Sequence, residues 1–308
     1  MRNFVSLKDL SRKELIRLVE LSFRIKKKPS LYRDALRGKD VGLLFQKPSL
    51  RTKTSFYVGA MQMGARVVYY SPEEVKLGQR EKVSDAARTL AGYLNGIVLR
   101  TFSHSVIEEF AKVRTLAVIN ALSDLLHPSQ VLGDLLTLYE LKKDVKKIKF
   151  VYIGDGNNVC HSLIYAFSIL GGNIFIATPK GYTPDRKVLQ EATQIAKKSN
   201  AKITMLSDPK RAALLADVLY TDVWASMGKE KEMTERKKVF KRFRIDDKIL
   251  KMAKKSCIVM HCLPAHRGEE ITDSVIDGKN SVVFKQAQNR LYSAKAILLY
   301  TLRGKVVL

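Results

Sequence analysis

The sequence of 308 residues has few cysteines, no long apolar run and a shortage of acidic residues. Its three cysteines, Cys160, Cys257 and Cys262, form an odd set without zinc-ligand spacing, which argues against a disulfide framework and fits a reducing compartment. No apolar run approaches the roughly 18 residues that span a bilayer. The N-terminus predicts a helix that starts near Ser6 or Asp9 rather than a signal peptide. We therefore expect a cytoplasmic protein.

The shortage of acidic residues leaves the chain strongly basic. It contains 55 Lys and Arg against 30 Asp and Glu, a formal net charge of +25. This charge favours nucleic acids or anionic small molecules as partners. The basic residues lie in short runs, as at 24–28, 142–149 and 229–244, without the interleaved aromatics of a single-strand platform. A lysine-rich solvated surface is therefore the competing interpretation.

Strand-like and helix-like segments alternate along most of the chain. Apolar segments such as 40–45, 96–101 and 116–122 are each followed by a segment with helical periodicity. This alternation predicts parallel sheets with helices on both faces. The expected fold class is α/β, with two doubly wound parallel-sheet domains and an active-site cleft between them.

A basic break near residues 143–148 separates the two predicted domains. The first domain is expected over residues 1–145 and the second over residues 146–285. The last segment, residues 286–308, predicts one helix that packs back on the first domain.

Polar clusters follow the predicted strands of both domains. In doubly wound sheets, ligands bind where strand ends lead into helix N-termini. Nearly every polar cluster of the chain falls at such a position, which predicts a functional site built from both domains. The segments are QKPSLRTKT, RTFSH and SDLLHPSQ in the first domain, and GDGNN, TDVWASMG and HCLPAHRGEE in the second.

The segment KPSLRTKT leads into a predicted helix. Pro48 and Ser49 predict an N-cap, so that the backbone N–H groups of the first turn point outward and favour an anion. Ser49 and Thr52 add hydroxyl donors, and Arg51 adds a bidentate guanidinium that matches phosphate geometry. The pattern is not a Walker A loop. A capped helix with a solvated basic turn is the alternative interpretation.

The segment GDGNNV lies between a strand and a helix, as a dinucleotide fingerprint would. It lacks the third glycine, and no acidic residue ends the next strand, so a nicotinamide site is not favoured. Asn157 and Asn158 could bind a polar ligand through their amides. Alternatively, both are turn residues chosen for their backbone tolerance.

The segment HCLPAHRG places Cys262 just after a buried strand. Neighbouring residues on a strand point to opposite faces, so His261 and Cys262 are not expected to form a nucleophile–base pair. The spacing of Cys262, His261 and His266 does not match a tetrahedral zinc site. His127, taken alone, is either a packed turn residue or a catalytic one.

Together these segments resemble the aspartate/ornithine carbamoyltransferase family, and its ornithine branch in particular. The resemblance spans almost the whole chain and is carried by PSLRTKTSF, RTFSH, HPSQVLGDLLTLYE, GDGNNV, DVWASMG, HCLPAHRGEE and NRL. It implies transfer of the carbamoyl group from carbamoyl phosphate to the side-chain amine of L-ornithine, giving L-citrulline and phosphate in arginine metabolism. Anabolic enzymes and catabolic enzymes that run the reverse reaction share these motifs. The resemblance also implies no metal or organic cofactor, no nucleic-acid or membrane partner, and a trimer, or a multiple of trimers, with active sites at subunit interfaces.

The resemblance also implies which residues form the site. Four would act in catalysis: Arg100, His127, Asp222 and Cys262. The ornithine-binding residues would be Asn158, Asp222, Ser226 and Met227. The carbamoyl-phosphate-binding residues would be Ser49, Leu50 through its backbone N–H, Arg51, Thr52, Lys76, Arg100, His127, Gln130, Cys262 and Leu263 through their backbone, and Arg290.

Three residues depart from the family pattern. Leu50 stands where the family usually has Thr, Lys53 where it has Arg, and Lys76 where ornithine enzymes commonly have Gln on a loop that reaches the neighbouring subunit. Aspartate as acceptor is disfavoured because the chain has HCLP and the SMG loop. Acylated ornithine and putrescine remain rival acceptors.

Overall fold

The computed structural model of the protein describes residues 2–78, 80–225 and 232–304. The chain divides into two compact units, unit 1 with Met1–Glu140 and Gln288–Leu308, and unit 2 with Leu141–Ala287. Each unit contains one parallel sheet with flanking helices. The predicted α/β class with two doubly wound parallel sheets is therefore confirmed.

The sheet of unit 1 has four strands in the order β2-β1-β3-β4. All neighbouring strands are parallel. The strand order reverses between β1 and β3, and ligands of such sheets bind at the loops that follow the strands on either side of this point. The strands are β1 (Asp40–Phe45), β2 (Arg66–Tyr70), β3 (Gly96–Arg100) and β4 (Ala117–Leu122).

The helices of unit 1 begin where the sequence provides caps or turns. The first starts after Ser11, whose side chain accepts from the N–H of Glu14 while the Glu14 carboxylate accepts from the N–H of Ser11. Ser6, one of the two residues predicted near the helix start, caps a short 3-10 helix, Leu7–Asp9, and this capping box then begins the first α-helix. The helices are α1 (Arg12–Lys27), α2 (Arg51–Met61), α3 (Val83–Ala91), α4 (His104–Ala111) and α5 (Pro128–Glu140).

The sheet of unit 2 has five parallel strands in the order β7-β6-β5-β8-β9. Its order reverses between β5 and β8, so the loops after these strands are the expected ligand position. The strands are β5 (Lys149–Ile153), β6 (Asn173–Ala177), β7 (Lys202–Leu206), β8 (Val218–Thr221) and β9 (Ile258–His261).

The first helix of unit 2 is buried along its whole length, which explains its nearly continuous apolar sequence. It ends at Gly171, which adopts the left-handed conformation with φ of 77°. The helices are α6 (Asn158–Leu170), α7 (Arg186–Ser199), α8 (Pro209–Ala213), α9 (Met233–Phe240), α10 (Asp247–Met252) and α11 (Asp273–Ile276).

The last helix, α12 (Val283–Arg303), has most of its length in unit 1. A polar network anchors it there. The side chain of Asn289 accepts from the Lys26 ammonium at 2.7 Å and donates to Thr137 at 3.0 Å and to Glu140 at 2.9 Å. These bonds join α12 to α1 and α5. Within the described residues, no helix, α12 included, has the length and apolar character needed to cross a membrane.

Candidate active site

Hydrogen bonds join the two loops at the reversal point of the unit 1 sheet. The N–H of Gln46 donates to the carbonyl oxygen of Arg100 at 2.8 Å, and the Gln46 side chain accepts from the N–H of Phe102 at 3.0 Å. The ammonium of Lys47 lies 4.5 Å from the centroid of the Phe102 ring. The loops after β1 and β3 therefore form one connected edge.

Helix α2 begins beside this edge without a side-chain cap. Leu50 occupies the N-cap position, with φ of −73° and ψ of −62°, and within the described part of the chain the helix has no side-chain cap bond. The prediction that Ser49 caps the helix was wrong, because Leu50 occupies the N-cap position and there is no side-chain cap bond. The Leu50 side chain is 75% exposed. The start of α2 thus offers backbone donors and the positive end of the helix dipole to an anion.

Four of the predicted site residues converge in unit 1. The guanidinium of Arg290, on α12, donates to the hydroxyl of Thr52 at 2.7 Å. Arg100 ends β3, and His127 precedes α5. Arg290 and Arg100 both lie close enough to His127 to act on its charge. All four side chains are buried.

Burial is the main cause that holds the pKa of His127 well below its usual range, and the charges of Arg290 and Arg100 act in the same direction. The imidazole is therefore neutral near pH 7. A neutral imidazole offers one N–H donor and one acceptor nitrogen. It can donate to a carbonyl oxygen beside two guanidinium groups without adding a third positive charge. Gln130 lies on the first turn of α5, where its N–H donates to the carbonyl of His127 at 3.2 Å.

Lys53 and Lys76, two of the residues that depart from the family pattern, do not point to the other predicted site residues. The ammonium of Lys53 lies 3.5 Å from the centroid of the Tyr69 ring on β2, so it makes a cation–π contact there. Lys76 is exposed. Its side chain makes no hydrogen bond or ion pair with any residue that the structure describes. Within unit 1, the structure does not bring Lys76 to the other predicted residues.

The carboxylate of Asp222, which follows β8, is the centre of the polar cluster in unit 2. Its Oδ1 accepts from the thiol of Cys262 at 2.8 Å and from the N–H of Val223 at 2.8 Å. Its Oδ2 accepts from the side-chain amide of Asn157 at 2.7 Å. Asp222 and Cys262 are 6% and 7% exposed. The two predicted catalytic residues of this unit are thus in direct contact.

Asn157 is a positioning residue that the resemblance does not place among the site residues. Its Oδ1 caps α6 by accepting from the N–H groups of Val159 and Cys160 at 3.0 and 3.2 Å, while its Nδ2 holds Asp222. Asn158, which was predicted, is the first residue of α6 and is buried. An asparagine just before a helix is a sequence signal for a cap, and it could have identified Asn157.

Gly156 explains why the segment GDGNN resembles a dinucleotide loop. A Cβ atom on Gly156 would lie 2.2 Å from the backbone nitrogen of Pro184 and 2.4 Å from the carbonyl carbon of Thr183. The N–H of Gly156 donates to the carbonyl of Tyr182 at 2.9 Å. The glycine is therefore required by close packing of the chain against residues 182–184.

A fully buried His261–Glu270 pair supports the loop that carries Cys262. The N–H of Leu263 donates to Nδ1 of His261 at 2.8 Å, so the ring proton lies on Nε2, which is 3.0 Å from the Glu270 carboxylate. Leu263 has a φ of 56°, a conformation that costs energy for a residue other than glycine. His261 and Cys262 bond to different partners, as the strand geometry predicts.

Ser226 and Met227, two of the predicted ornithine-binding residues, lie outside the described residues. The described chain on either side of them is held by Arg236 on α9. Its guanidinium donates to Asp155 at 2.9 Å and to the carbonyl of Trp224 at 2.7 Å. This contact connects the loop after β5 with the loop after β8.

Among the residues that the structure describes, two clusters offer atoms of the kinds that bind metals. The ligating atoms of Asp222, His261 and Cys262 lie within 4.8 Å of one another, but each already has the protein partner described above. A second cluster consists of His266, Glu269 and Glu270. There Glu269 is paired with the Lys237 ammonium at 2.7 Å, and Glu270 bonds to His261. Both arrangements suit a hydrogen-bonded site better than metal coordination.

Two family models match the chain, one for each unit. The carbamoyl-P binding domain of aspartate/ornithine carbamoyltransferase matches residues 2–140. The Asp/Orn binding domain of the same family matches residues 146–301.

Similar proteins cover nearly the whole chain. An ornithine carbamoyltransferase of Pyrococcus horikoshii is 44% identical over 305 residues, which is 98% of this chain and 96% of that protein. The solved ornithine carbamoyltransferase of Pyrococcus furiosus is 43% identical with a TM-score of 0.95, covering 99% of this chain and 98% of its own. The anabolic ornithine carbamoyltransferase of Campylobacter jejuni is 36% identical with a TM-score of 0.94, covering 99% and 100%. With both family models matched in order, the chain belongs to the aspartate/ornithine carbamoyltransferase family.

Proposed function

We propose that the protein transfers the carbamoyl group of carbamoyl phosphate to the side-chain amine of L-ornithine, giving L-citrulline and phosphate in arginine biosynthesis. The observation that carries the proposal is the buried group of Thr52, Arg100, His127 and Arg290 beside the uncapped start of α2. The relatives named ornithine carbamoyltransferase support the acceptor. The anabolic name of the Campylobacter jejuni enzyme supports the direction.

Unit 1 would bind carbamoyl phosphate. The N–H groups at the start of α2, with Ser49, Arg51 and Thr52, supply donors for the phosphate oxygens. Arg100 and His127 would donate to the carbamoyl oxygen. Negative charge grows on that oxygen as the amine attacks, and removal of one such buried donor typically costs roughly 2.7–4 kcal/mol in the barrier.

Unit 2 would bind ornithine through Asn158, Asp222 and the thiol of Cys262, with Ser226 and Met227. The attacking amine must be the free base. Asp222 already accepts from Cys262, Val223 and the Asn157 amide, so its charge is partly balanced. Such a carboxylate orients a neutral amine without holding the ammonium form too tightly.

The reaction is balanced without an added group. The amine nitrogen forms a bond to the carbamoyl carbon, and the bond from that carbon to the phosphate oxygen breaks. Phosphate leaves with that oxygen, and the amine loses one proton to the leaving phosphate. Preorganised donors and the correct placement of two substrates supply the rate enhancement.

We further propose a homotrimer, or a multiple of trimers, in which Lys76 reaches the carbamoyl phosphate of a neighbouring subunit. The side chains of Leu50, Tyr57 and Met61 are spaced along one face of α2 and are 75%, 37% and 53% exposed. Val68, on the edge strand β2, is 44% exposed. Exposed apolar residues next to an open sheet edge favour contact with another copy of the chain.

Hybrid complementation tests this assembly. Lys76→Ala and His127→Ala are each expected to be inactive, and mixing the two after dissociation should restore activity, because about a quarter of the sites would combine intact halves from different subunits. Sedimentation equilibrium should give three protomers or a multiple of three. A monomer, or a mixture without restored activity, would contradict the shared site.

We also propose a cytoplasmic location. The three cysteines are free thiols. Burial raises the pKa of Cys160 well above its usual range and that of Cys257 to about 12, so neither is a thiolate at neutral pH. A reducing compartment keeps such thiols intact. Cell fractionation would test the location.

The main experiment measures carbamoylated product from carbamoyl phosphate with ornithine, N-acetylornithine, putrescine, lysine and aspartate. Strong preference for ornithine is expected. Preference for an acylated amine or for putrescine would mean that the residues proposed to bind ornithine are assigned wrongly. No turnover with any amine would contradict the transferase proposal. Salt-sensitive retention on nucleic acid would then support nucleic-acid binding, the alternative that the net positive charge favours.

A further inference from the structure

The amide of Gln130 is held by a carboxylate one helical turn further along α5. Its Nε2 donates to Oδ1 of Asp134 at 2.9 Å. Gln130 is 1% exposed and Asp134 is 0% exposed. Residues four apart on a helix lie on the same face, so the contact follows from the helix itself.

This bond determines which end of the Gln130 side-chain amide points away from Asp134. The NH₂ end of the amide donates to the Asp134 carboxyl oxygen, so the carbonyl oxygen at the other end of the planar group faces away from Asp134. That oxygen, Oε1, is buried and has no hydrogen-bond partner among the described residues. Buried acceptors are rarely left unsatisfied, and an exception in a functional region points to a missing donor.

We propose that Asp134 is a positioning residue that fixes the Gln130 carbonyl oxygen toward the donor substrate, so that the site selects an acyl phosphate whose acyl group carries an N–H. Carbamoyl phosphate has an NH₂ group where acetyl phosphate has a methyl group of similar size. A hydrophobic surface cannot separate the two, whereas a fixed acceptor leaves the methyl compound with an unsatisfied buried oxygen. This inference rests on the proposed function, because it concerns the same donor substrate.

Two stable phosphonates test the selection directly. Phosphonoacetamide and 2-oxopropylphosphonate share the phosphonate and the carbonyl group, and they differ only in NH₂ against CH₃. Their dissociation constants are measured by calorimetry on the unaltered protein and on Asp134→Asn. The unaltered protein should bind the amide at least about tenfold more tightly than the ketone. In Asp134→Asn the preference should fall to about threefold or less, since Asn can also donate to Gln130 and turn its amide around.

The ratio of the two constants separates positioning from a general structural role. Asp134 has further contacts in the protein, and a loss of stability or of phosphonate binding would weaken both probes alike. Gln130→Met should abolish the preference. In the Gln130→Met background, Asp134→Asn should leave the ratio unchanged within about twofold, because the carboxylate acts only through Gln130. The inference would be overturned if Asp134→Asn alone left the ratio of the two dissociation constants unchanged. It would also be overturned if Asp134→Asn changed that ratio in the Gln130→Met background.

The unaltered protein provides a second measurement that does not depend on the folding of a variant. Neutron diffraction with bound phosphonoacetamide should show two deuterons on the Gln130 atom that faces Asp134. An oxygen at that place would overturn the inference. Citrulline formation is assayed on the same preparation, and its absence would contradict the proposed function, whereas normal turnover with a reversed amide would contradict the positioning role alone.

Discussion

The guanidinium of Arg290 donates a hydrogen bond to the hydroxyl of Thr52 at 2.7 Å across 238 positions of sequence. Both residues are nearly fully buried. The bond joins the first turn of α2 to α12, so the last helix of the chain takes part in the unit 1 site. A buried guanidinium needs acceptors, and Thr52 supplies one where a phosphate is expected to supply others.

Thr52→Val tests this relationship. The variant keeps the shape of the side chain but removes the acceptor, which should lower the free energy of unfolding by about 1–3 kcal/mol. The KM for carbamoyl phosphate should rise about tenfold because Arg290 loses its fixed orientation. Urea unfolding and steady-state kinetics measure the two effects. Thr54→Val is the matched control, since Thr54 is exposed on the same helix. Equal behaviour of the two variants would refute the role given to Thr52.

His127 should make the stability of the fold depend on pH. Burial, reinforced by Arg290 and Arg100, holds its pKa well below the usual range. Below the unfolded value of about 6.5, the unfolded chain binds a proton that the folded chain does not, so stability should fall as the pH decreases. His127→Gln should flatten this slope when urea midpoints are measured between pH 7 and pH 5.

The slope will not vanish in His127→Gln, because burial also lowers the pKa of His104, which contributes with the same sign. A slope that survives unchanged in His127→Gln would mean that His127 is charged in the folded protein.

The order of strands and helices could be predicted from the sequence because buried parallel strands and amphipathic helices have distinct periods. The predicted strand at 40–45 is β1 as observed. The helices α8 to α11 were not predicted. They are short, as in Asp273–Ile276, and α9 is rich in charged residues, so none shows a strong apolar repeat. Tertiary packing, rather than local pattern, determines such elements.

The contacts that support the site could not be predicted because the partners are distant in sequence. Asn157 holds Asp222 across 65 positions, and neither residue's neighbours indicate this contact. The His261–Glu270 pair depends on a loop that returns to the end of β9. The residues expected to touch substrate were identified by resemblance, since strand ends in this fold are where such residues lie. The resemblance did not identify the residues, such as Asn157, that act by positioning another side chain.

Cys262 should affect ornithine and leave carbamoyl phosphate nearly unchanged. Its thiol donates to Asp222 at 2.8 Å. In Cys262→Ala the carboxylate gains a free acceptor site and holds the ammonium form of the acceptor more strongly, so kcat/KM for ornithine should fall about tenfold and its optimum should move to higher pH. The KM for carbamoyl phosphate should stay within about twofold.

Cys262→Ser is the conservative partner of this variant. A serine hydroxyl still donates to the carboxylate, so it should recover most of the ornithine kcat/KM that Cys262→Ala loses. If Ser and Ala behave alike, the hydrogen bond to Asp222 is not what the thiol contributes, and its size or polarizability must account for the effect.

Gly156→Ala should be the most damaging small substitution in unit 2. The added Cβ would lie 2.2 Å from the backbone nitrogen of Pro184, and backbone cannot move aside as a side-chain tip can. We expect a loss of about 3 kcal/mol or more in the free energy of unfolding. The displaced turn carries Asn157, so the KM for ornithine should also rise.

Gly181→Ala separates steric overlap from backbone strain in this test. Gly181 has a φ of 87° and no atom within 4 Å of an added Cβ, so its replacement should cost only about 1 kcal/mol and leave ornithine binding intact. Gly156 is not among the residues with a left-handed φ, so strain cannot account for its cost. If both variants lost the same stability in urea, the close approach of residues 182–184 would not be what requires glycine at position 156.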